Sequence, residues 1–129
     1  MEQPKKYRIG VEVTLEIIGG KWKSIILYHL TEGSKRYNEL KRLIPNISQK
    51  VLTQQLRELE RDGVVIRHDY GEVPPRVEYI LSSYGESLIE VLDFFCRWGE
   101  NHLERVYGDK HLMLDEYFLD DPQPPTKDQ

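Results

Sequence analysis

Short or flexible polar side chains are concentrated in the segment SQKVLTQQLR, which runs from Ser48 to Arg57. Side chains of these types can read nucleic-acid bases: glutamine pairs with adenine, arginine and lysine pair with guanine, and threonine contacts the thymine methyl. A serine at a helix start can also hold a phosphate, because free N–H groups and the helix dipole favour anions. The residues assigned to base or phosphate contact in this segment are Ser48, Gln49, Lys50, Thr53, Gln54 and Arg57.

Apolar residues in and just beyond the same segment predict a helix that presents those polar side chains on one side. Leu52, Leu56 and Leu59 follow an i, i+4, i+7 pattern, which defines one buried face. The predicted helix covers about Ser48–Asp62, with Asn46 or Ser48 as its N-terminal cap. The alternative is that the polar residues only solvate a surface helix.

Three shorter helices are predicted before this one. They cover about 11–18, 22–30 and 37–44, and they are separated by glycines, by Glu32-Gly33-Ser34 and by Pro45. In the second helix the inward side chains are predicted to be Trp22, Ile25, Ile26, His29 and Leu30.

Two runs rich in β-branched and aromatic residues follow the polar helix. Val64–Tyr70 and Arg76–Leu81 are joined by Gly71–Pro75, a pattern that predicts a hairpin with a stiff tip. Short helices followed by a hairpin describe a winged helix-turn-helix, which is mainly α with a small β-hairpin. In that fold the helix after the turn, here Ser48–Asp62, lies in the DNA major groove.

The charge distribution agrees with this hypothesis, although the chain has a net charge of −4. Between Lys35 and Arg57 there are six basic residues and one acidic residue, and a basic middle between acidic flanks suggests an oriented electrostatic surface. Ordinary scatter of charge over helix surfaces is the alternative. The predicted phosphate contacts, with the wing tip, are Lys35, Arg36, Lys41, Arg67, Pro74 and Arg76.

A long last helix is predicted from Ser82 or Ser83 to about Tyr107, with Ser83 and Glu86 as a capping box. Its apolar residues cover more than one stripe, so it is expected to pack on its own domain and on something else. Residues 109–129 are predicted to be an extension that holds a short helix around 112–118 and ends in a flexible tail.

Length and composition exclude several classes of protein. A chain of 129 residues predicts one domain, without a membrane span or a signal peptide; we therefore expect a cytoplasmic protein. The single cysteine, Cys96, excludes an intramolecular disulfide and a thiolate zinc cluster. The dispersed histidines predict no metal site, and the absence of a phosphate loop or nucleophile motif predicts no enzyme and no cofactor.

Three segments together resemble the HxlR family of bacterial transcriptional regulators: VEVTLEIIGGKWKSIIL, RYNELKRLIPNISQKVLTQQLRELERDGVV and VPPRVEYILSSYGESL. The resemblance covers about Ile9–Leu103 and implies a MarR-related winged helix-turn-helix homodimer, with residues 1–108 as one domain, that regulates neighbouring promoters. Because a two-fold dimer reads two-fold DNA, we expect an inverted-repeat operator. Repression by occupying the promoter is expected, and activation is the alternative that the sequence leaves open. It also implies that the first and last helices are dimerisation helices. The residues expected in that interface are Val11, Leu15, Leu88, Leu92, Phe95, Trp98 and Leu103.

The sequence departs from this family at one functional position. Many members resemble thiol switches with a cysteine just before the first helix, but Ile9 stands there and Gly10 replaces the usual proline. The resemblance therefore carries over no N-terminal redox switch.

Three other functions stay open from the sequence. Cys96 could respond to oxidants from the dimer interface, although buried cysteines are mostly inert. An apolar chamber near Trp22, Phe94, Phe95 and Trp98 could bind an aromatic small-molecule effector, although such a stripe is more often plain core. A winged helix used only for protein contacts is the third alternative, and the polar face of Gln49–Arg57 argues against it.

Overall fold

The computed structural model describes residues 5–115. Five α-helices and three strands lie in this range: α1 Gly10–Ile18, α2 Lys23–Leu30, β1 Lys35–Arg36, α3 Tyr37–Leu43, α4 Gln49–Arg61, β2 Val65–Asp69, β3 Val77–Leu81 and α5 Ile89–Tyr107. The predicted fold class, mainly α with a small β-hairpin, is confirmed. Within the described residues the chain divides into two compact units, with the boundary between Leu92 and Asp93. The domain boundary expected after residue 108 stays a prediction.

Helices α2, α3 and α4 enclose the core of the first unit. Leu52, Leu56 and Leu59 are each at most 1% exposed, which confirms the predicted inner face of α4. The prediction for α2 was wrong at Ile25, which is 39% exposed, whereas Leu27 is fully buried. The buried stripe of α2 runs through Lys23, Ile26, Leu27 and Leu30; a lysine at its first position hid the pattern from hydrophobicity alone.

The hairpin of β2 and β3 is confirmed, with Arg67 opposite Tyr79 near its centre. Strand β1 is not predicted from the sequence. It pairs with β3 and makes a three-stranded antiparallel sheet in the order β1-β3-β2. A two-residue strand is too short to show a periodic pattern. Its pairing places Lys35 opposite Tyr79, directly before α3.

The segment between β3 and α5 is held by Ser82. Its hydroxyl donates to the carbonyl of Gly63 at 2.6 Å and accepts from the backbone N–H of Gly85 at 2.8 Å. The Ser83–Glu86 capping box was therefore a wrong prediction. A 3-10 turn over Gly85–Leu88 precedes α5. The first backbone N–H groups that need a cap are therefore those of this turn, and they lie nearer to Ser82 than to Ser83.

Helix α5 ends at Tyr107, as predicted. A 3-10 turn at Lys110–Leu112 follows, where Lys110 Nζ lies 3.0 Å from Glu100 Oε1. The helix predicted around residues 112–118 lies partly outside the described residues, and the predicted tail lies wholly outside them. Within residues 5–115 no helix is long and apolar enough to cross a membrane.

Candidate nucleic-acid interface

Helix α4 begins where the sequence predicts, because Ser48 caps it. The Ser48 backbone is extended, and its hydroxyl oxygen accepts a hydrogen bond from the backbone N–H of Val51 at 3.1 Å. Ser48 rather than Asn46 is therefore the cap. The Ser48 side chain is exposed, so its own hydroxyl hydrogen stays available to a phosphate oxygen.

The polar side chains of α4 share one accessible face. Gln49, Lys50, Gln54 and Arg57 are exposed and Thr53 is half-buried, whereas the leucines lie on the opposite side in the core. The five polar residues line one open depression together with Glu58 and Arg61. The structure thus brings together the base-reading residues assigned from the sequence, and it adds an acidic neighbour, Glu58.

Tyr37 of α3 fixes the start of α4, a role that the sequence analysis missed. Its hydroxyl donates to the backbone carbonyl of Gln49 at 2.9 Å and lies 3.1 Å from the hydroxyl oxygen of Thr53. The available signal in the sequence was weak: a tyrosine hydroxyl at the start of the helix that precedes the polar segment. Its partner was not readable, because it depends on how α3 packs against α4.

Lys41 has a partner within the protein. Its ammonium donates to the backbone carbonyl of Ile47 at 2.8 Å, in the turn between α3 and α4. The sequence assigned Lys41 to a phosphate. In the structure one of its three N–H donors is used to hold the helix-turn-helix angle.

A second connection, from α2, reaches the polar face through Glu58. Lys23 Nζ lies 2.6 Å from Glu58 Oε1, and Gln54 Nε2 donates to Glu58 Oε2 at 3.3 Å. The hydrogen bond from Lys23 lowers the pKa of Glu58 below its usual value, and Gln54 contributes in the same direction. Glu58 therefore stays ionised beside Gln54 and accepts from it.

The two arginines predicted at the wing have different environments. Arg67 is exposed on β2, and its guanidinium makes no hydrogen bond or ion pair within residues 5–115. Arg76 stacks on the Tyr70 ring at 3.8 Å and lies within 3.6 Å of Glu72 and Glu78. The hydroxyl of Tyr70 donates to Glu78 and, with Arg76, lowers the pKa of that carboxyl. The charge of Arg76 is thus compensated within the wing.

The remaining predicted contacts lie around the base and tip of the hairpin. Lys35 is half-buried, 3.9 Å from Glu32, whereas Arg36 is exposed and its backbone N–H donates to Glu39 at 2.8 Å. Pro74 is exposed at the wing tip, next to Val73, which is 96% exposed.

Most of the residues predicted for the dimer interface are accessible. Val11 and Leu15 in the first unit, and Phe95 and Trp98 in the second, are 49–69% exposed, and Leu88 and Leu103 are partly exposed. Leu92 is different: it is 2% exposed and belongs to the core, so its side chain is unavailable to a partner. The sequence could not separate it from the outer stripes of α5.

The structure gives little support to the two alternatives that the sequence left open, an effector chamber and a thiol sensor. Phe94 and Trp98 are 66% and 69% exposed, so neither side chain is enclosed by residues 5–115. Cys96 is partly buried; burial raises its thiol pKa, and Glu100 and Asp93 raise it further. A raised pKa reduces the reactive thiolate. Residues 5–115 contain no cluster of three or more metal-ligating side chains.

Comparisons with known proteins give one family. The family model for HxlR-like helix-turn-helix proteins matches residues 17–107. The chain is 63% identical to YtcD of Bacillus subtilis (strain 168), an uncharacterized HTH-type transcriptional regulator, over 92% of this chain and 94% of that protein.

Solved structures agree with this result. The oxidized form of the redox regulator HypR superposes with a TM-score of 0.70 at 50% identity, over 72% of this chain and 96% of that one. A transcriptional regulator of the MarR family from Enterococcus faecalis V583 gives a TM-score of 0.65 at 43% identity, over 74% and 86%. The chain therefore belongs to the HxlR-like helix-turn-helix family and is a transcriptional regulator of the helix-turn-helix type.

Proposed function

We propose that the chain binds a promoter operator as a homodimer, in the cytoplasm, and represses transcription by occupying that promoter. The observation that carries the proposal is the two-sided character of α4. Its leucines are fully buried, while Gln49, Lys50, Gln54 and Arg57 lie exposed on the other side. A helix anchored in this way can enter the major groove with its reading side chains already oriented.

Partners on neighbouring elements support the same role by fixing the position of α4. Tyr37 holds its first turn, Lys41 holds the preceding turn, and Lys23 holds its middle through Glu58. Base readout requires reading atoms to be placed within hydrogen-bond distance of base edges, which a mobile helix cannot maintain. A module used only for protein contacts more often shows an exposed apolar patch, whereas the exposed side chains on this face are polar.

Exposed apolar side chains support the homodimer. Helix α1 exposes Val11 and Leu15, and α5 exposes Phe94, Phe95 and Trp98. Large apolar side chains grouped on one element are typical of interaction surfaces, and a second copy of the chain is the partner we propose for both. A two-fold dimer reads two-fold DNA, so we expect an inverted repeat whose half-sites are about 10 bp apart, or a multiple of that spacing.

Redox regulation is the function suggested by the similarity to HypR, which is a redox regulator. The only cysteine of this chain is Cys96, and its pKa is raised rather than lowered. We therefore do not include a thiol switch in the proposed function.

The test is a titration of the protein against its own upstream promoter DNA and against a scrambled duplex, at two salt concentrations. Phosphate contacts give affinity that falls steeply with salt, whereas base contacts give a preference between sequences. A promoter preference that persists at the higher salt concentration supports specific binding. Equal binding to both duplexes would reduce the proposal to electrostatic affinity, and no binding at low salt would favour the protein-contact alternative.

A further inference from the structure

The hydrogen bonds around Tyr37 determine which way the hydroxyl of Thr53 points. The Tyr37 hydroxyl oxygen lies 2.9 Å from the Gln49 carbonyl oxygen and 3.1 Å from the Thr53 hydroxyl oxygen. A phenol carries one hydrogen, and a carbonyl oxygen can only accept. The Tyr37 hydrogen therefore goes to Gln49, and the short contact with Thr53 is made by the Thr53 hydrogen.

This arrangement leaves Thr53 with a defined chemical character. Its single hydroxyl hydrogen is directed at Tyr37, so only oxygen lone pairs and the side-chain methyl are available to a ligand in the depression lined by α4. A threonine free of such a partner can either donate or accept. Thr53 is thus an acceptor with an adjacent methyl group.

We propose that Tyr37 is a specificity-determining residue, because it makes Thr53 an acceptor-only reader of one operator position. In the major groove, adenine and cytosine present amino donors, thymine presents a methyl, and guanine presents only acceptors at N7 and O6. Thr53 then accepts from adenine or cytosine, or contacts thymine, and it disfavours guanine at the base that it faces. The inference rests on the proposed function, since it requires α4 to lie in the major groove.

Tyr37→Phe tests this inference with little change in shape. The ring keeps its packing against the core, while the lost hydroxyl frees the Thr53 hydrogen to donate to guanine. The wild-type protein and the variant are each used to select duplexes from a pool with random sequence, and single-base preferences are then measured by competition. The expected result is that discrimination against guanine falls about 3- to 10-fold at one position, the size of one neutral hydrogen bond.

Two further variants separate this role from a merely structural one. Thr53→Val keeps the methyl and the shape but has no hydroxyl, so adding Tyr37→Phe to it should change no base preference. Thr53→Ser keeps the hydroxyl and lacks the methyl, so it should still reject guanine while any thymine preference weakens. Thr53→Ser also tests the inference should Tyr37→Phe fail to fold. Tyr84→Phe, which removes an exposed hydroxyl outside α3 and α4, is the control.

The outcomes distinguish this inference from the function on which it rests. If the wild-type protein selects no sequence from the pool, specific DNA binding itself fails. If the wild-type protein selects a site and Tyr37→Phe weakens binding equally to all bases, Tyr37 only supports the helix and the inference is overturned. A guanine-specific change that persists in the Thr53→Val background would also overturn it, because the effect would then not pass through the Thr53 hydroxyl.

Discussion

Lys23 and Glu58 form one ion pair, but replacing Lys23 and replacing Glu58 should lower the free energy of unfolding by different amounts. The Lys23 side chain is 10% exposed and that of Glu58 is 27% exposed, with 2.6 Å between Nζ and Oε1. Breaking a buried pair costs about 3–5 kcal/mol because the remaining charge is unsolvated, whereas an exposed pair contributes at most about 1 kcal/mol. This pair lies between those limits, and its two sides differ in access to water.

The structure gives a magnitude for each variant. Glu58→Gln leaves the ammonium of Lys23 in a largely enclosed site with only a neutral acceptor, so we expect a loss of about 2–3 kcal/mol in the free energy of unfolding. Lys23→Met keeps the apolar stem and leaves Glu58 with water and Gln54 as partners, so we expect a loss of about 1 kcal/mol.

The assay is urea unfolding at one fixed protomer concentration, because association would make stability depend on concentration. With a slope of about 2 kcal/mol/M, the midpoint should fall by about 0.5 M for Lys23→Met and by 1 M or more for Glu58→Gln. The double variant closes the thermodynamic cycle. The reasoning is refuted if Lys23→Met is as destabilising as Glu58→Gln. The burial of the charge that remains would then not determine how much stability is lost.

The same pair predicts a pH dependence with a definite sign. Because the Lys23 hydrogen bond lowers the pKa of folded Glu58 below its ordinary value of 4.5, the pair stabilises the folded state fully above pH 4.5. That contribution is lost as the pH falls through the lowered pKa. The stability difference between the wild-type protein and Lys23→Met should therefore shrink below pH 4.5 in urea titrations. A difference that stays constant as the pH falls well below 4.5, through the lowered pKa of Glu58, would mean that Lys23 does not act through the Glu58 charge.

Three further predictions test the cap, the wing and the dimer. Ser48→Ala should lower the free energy of unfolding by about 1 kcal/mol, while Asn46→Ala, which removes no cap, should leave the urea midpoint unchanged; equal effects would contradict the assignment of Ser48. Arg67→Ala should make the salt slope of DNA binding shallower by about one unit. Arg76→Ala should change the slope by less, because Glu72 and Glu78 already compensate the charge of Arg76. A larger change for Arg76→Ala in a salt titration would mean that Arg76, and not Arg67, makes the phosphate contact. Trp98→Glu should produce monomers in size-exclusion chromatography and weaken operator binding together, and a dimeric variant with full affinity would place the interface elsewhere.

Much of the interface could be predicted from the sequence because it follows from local patterns. The leucine spacing set the buried face of α4, and a helix of fixed pitch then places Gln49, Gln54 and Arg57 on the other side. The cap at Ser48 and the β2–β3 hairpin are equally local, since each depends on residues a few positions apart. The exposed stripe of α5 followed from the same periodicity. The burial of Leu92 did not, because the side chains that pack against α5 decide which of its apolar residues are buried.

The sequence by itself determined the order of the helices and of the β2–β3 hairpin, the polar face of α4 and the winged helix-turn-helix fold, because helix and strand periodicities are properties of the chain alone. Only the tertiary structure decided which polar groups meet: Tyr37 with Gln49 and Thr53, Lys41 with Ile47, and Lys23 with Glu58. Hydrogen bonds and close ion pairs need their partner atoms within about 3–4 Å of each other, so they depend on the packing of separate helices. That packing converts a set of polar residues into groups with fixed donors and acceptors.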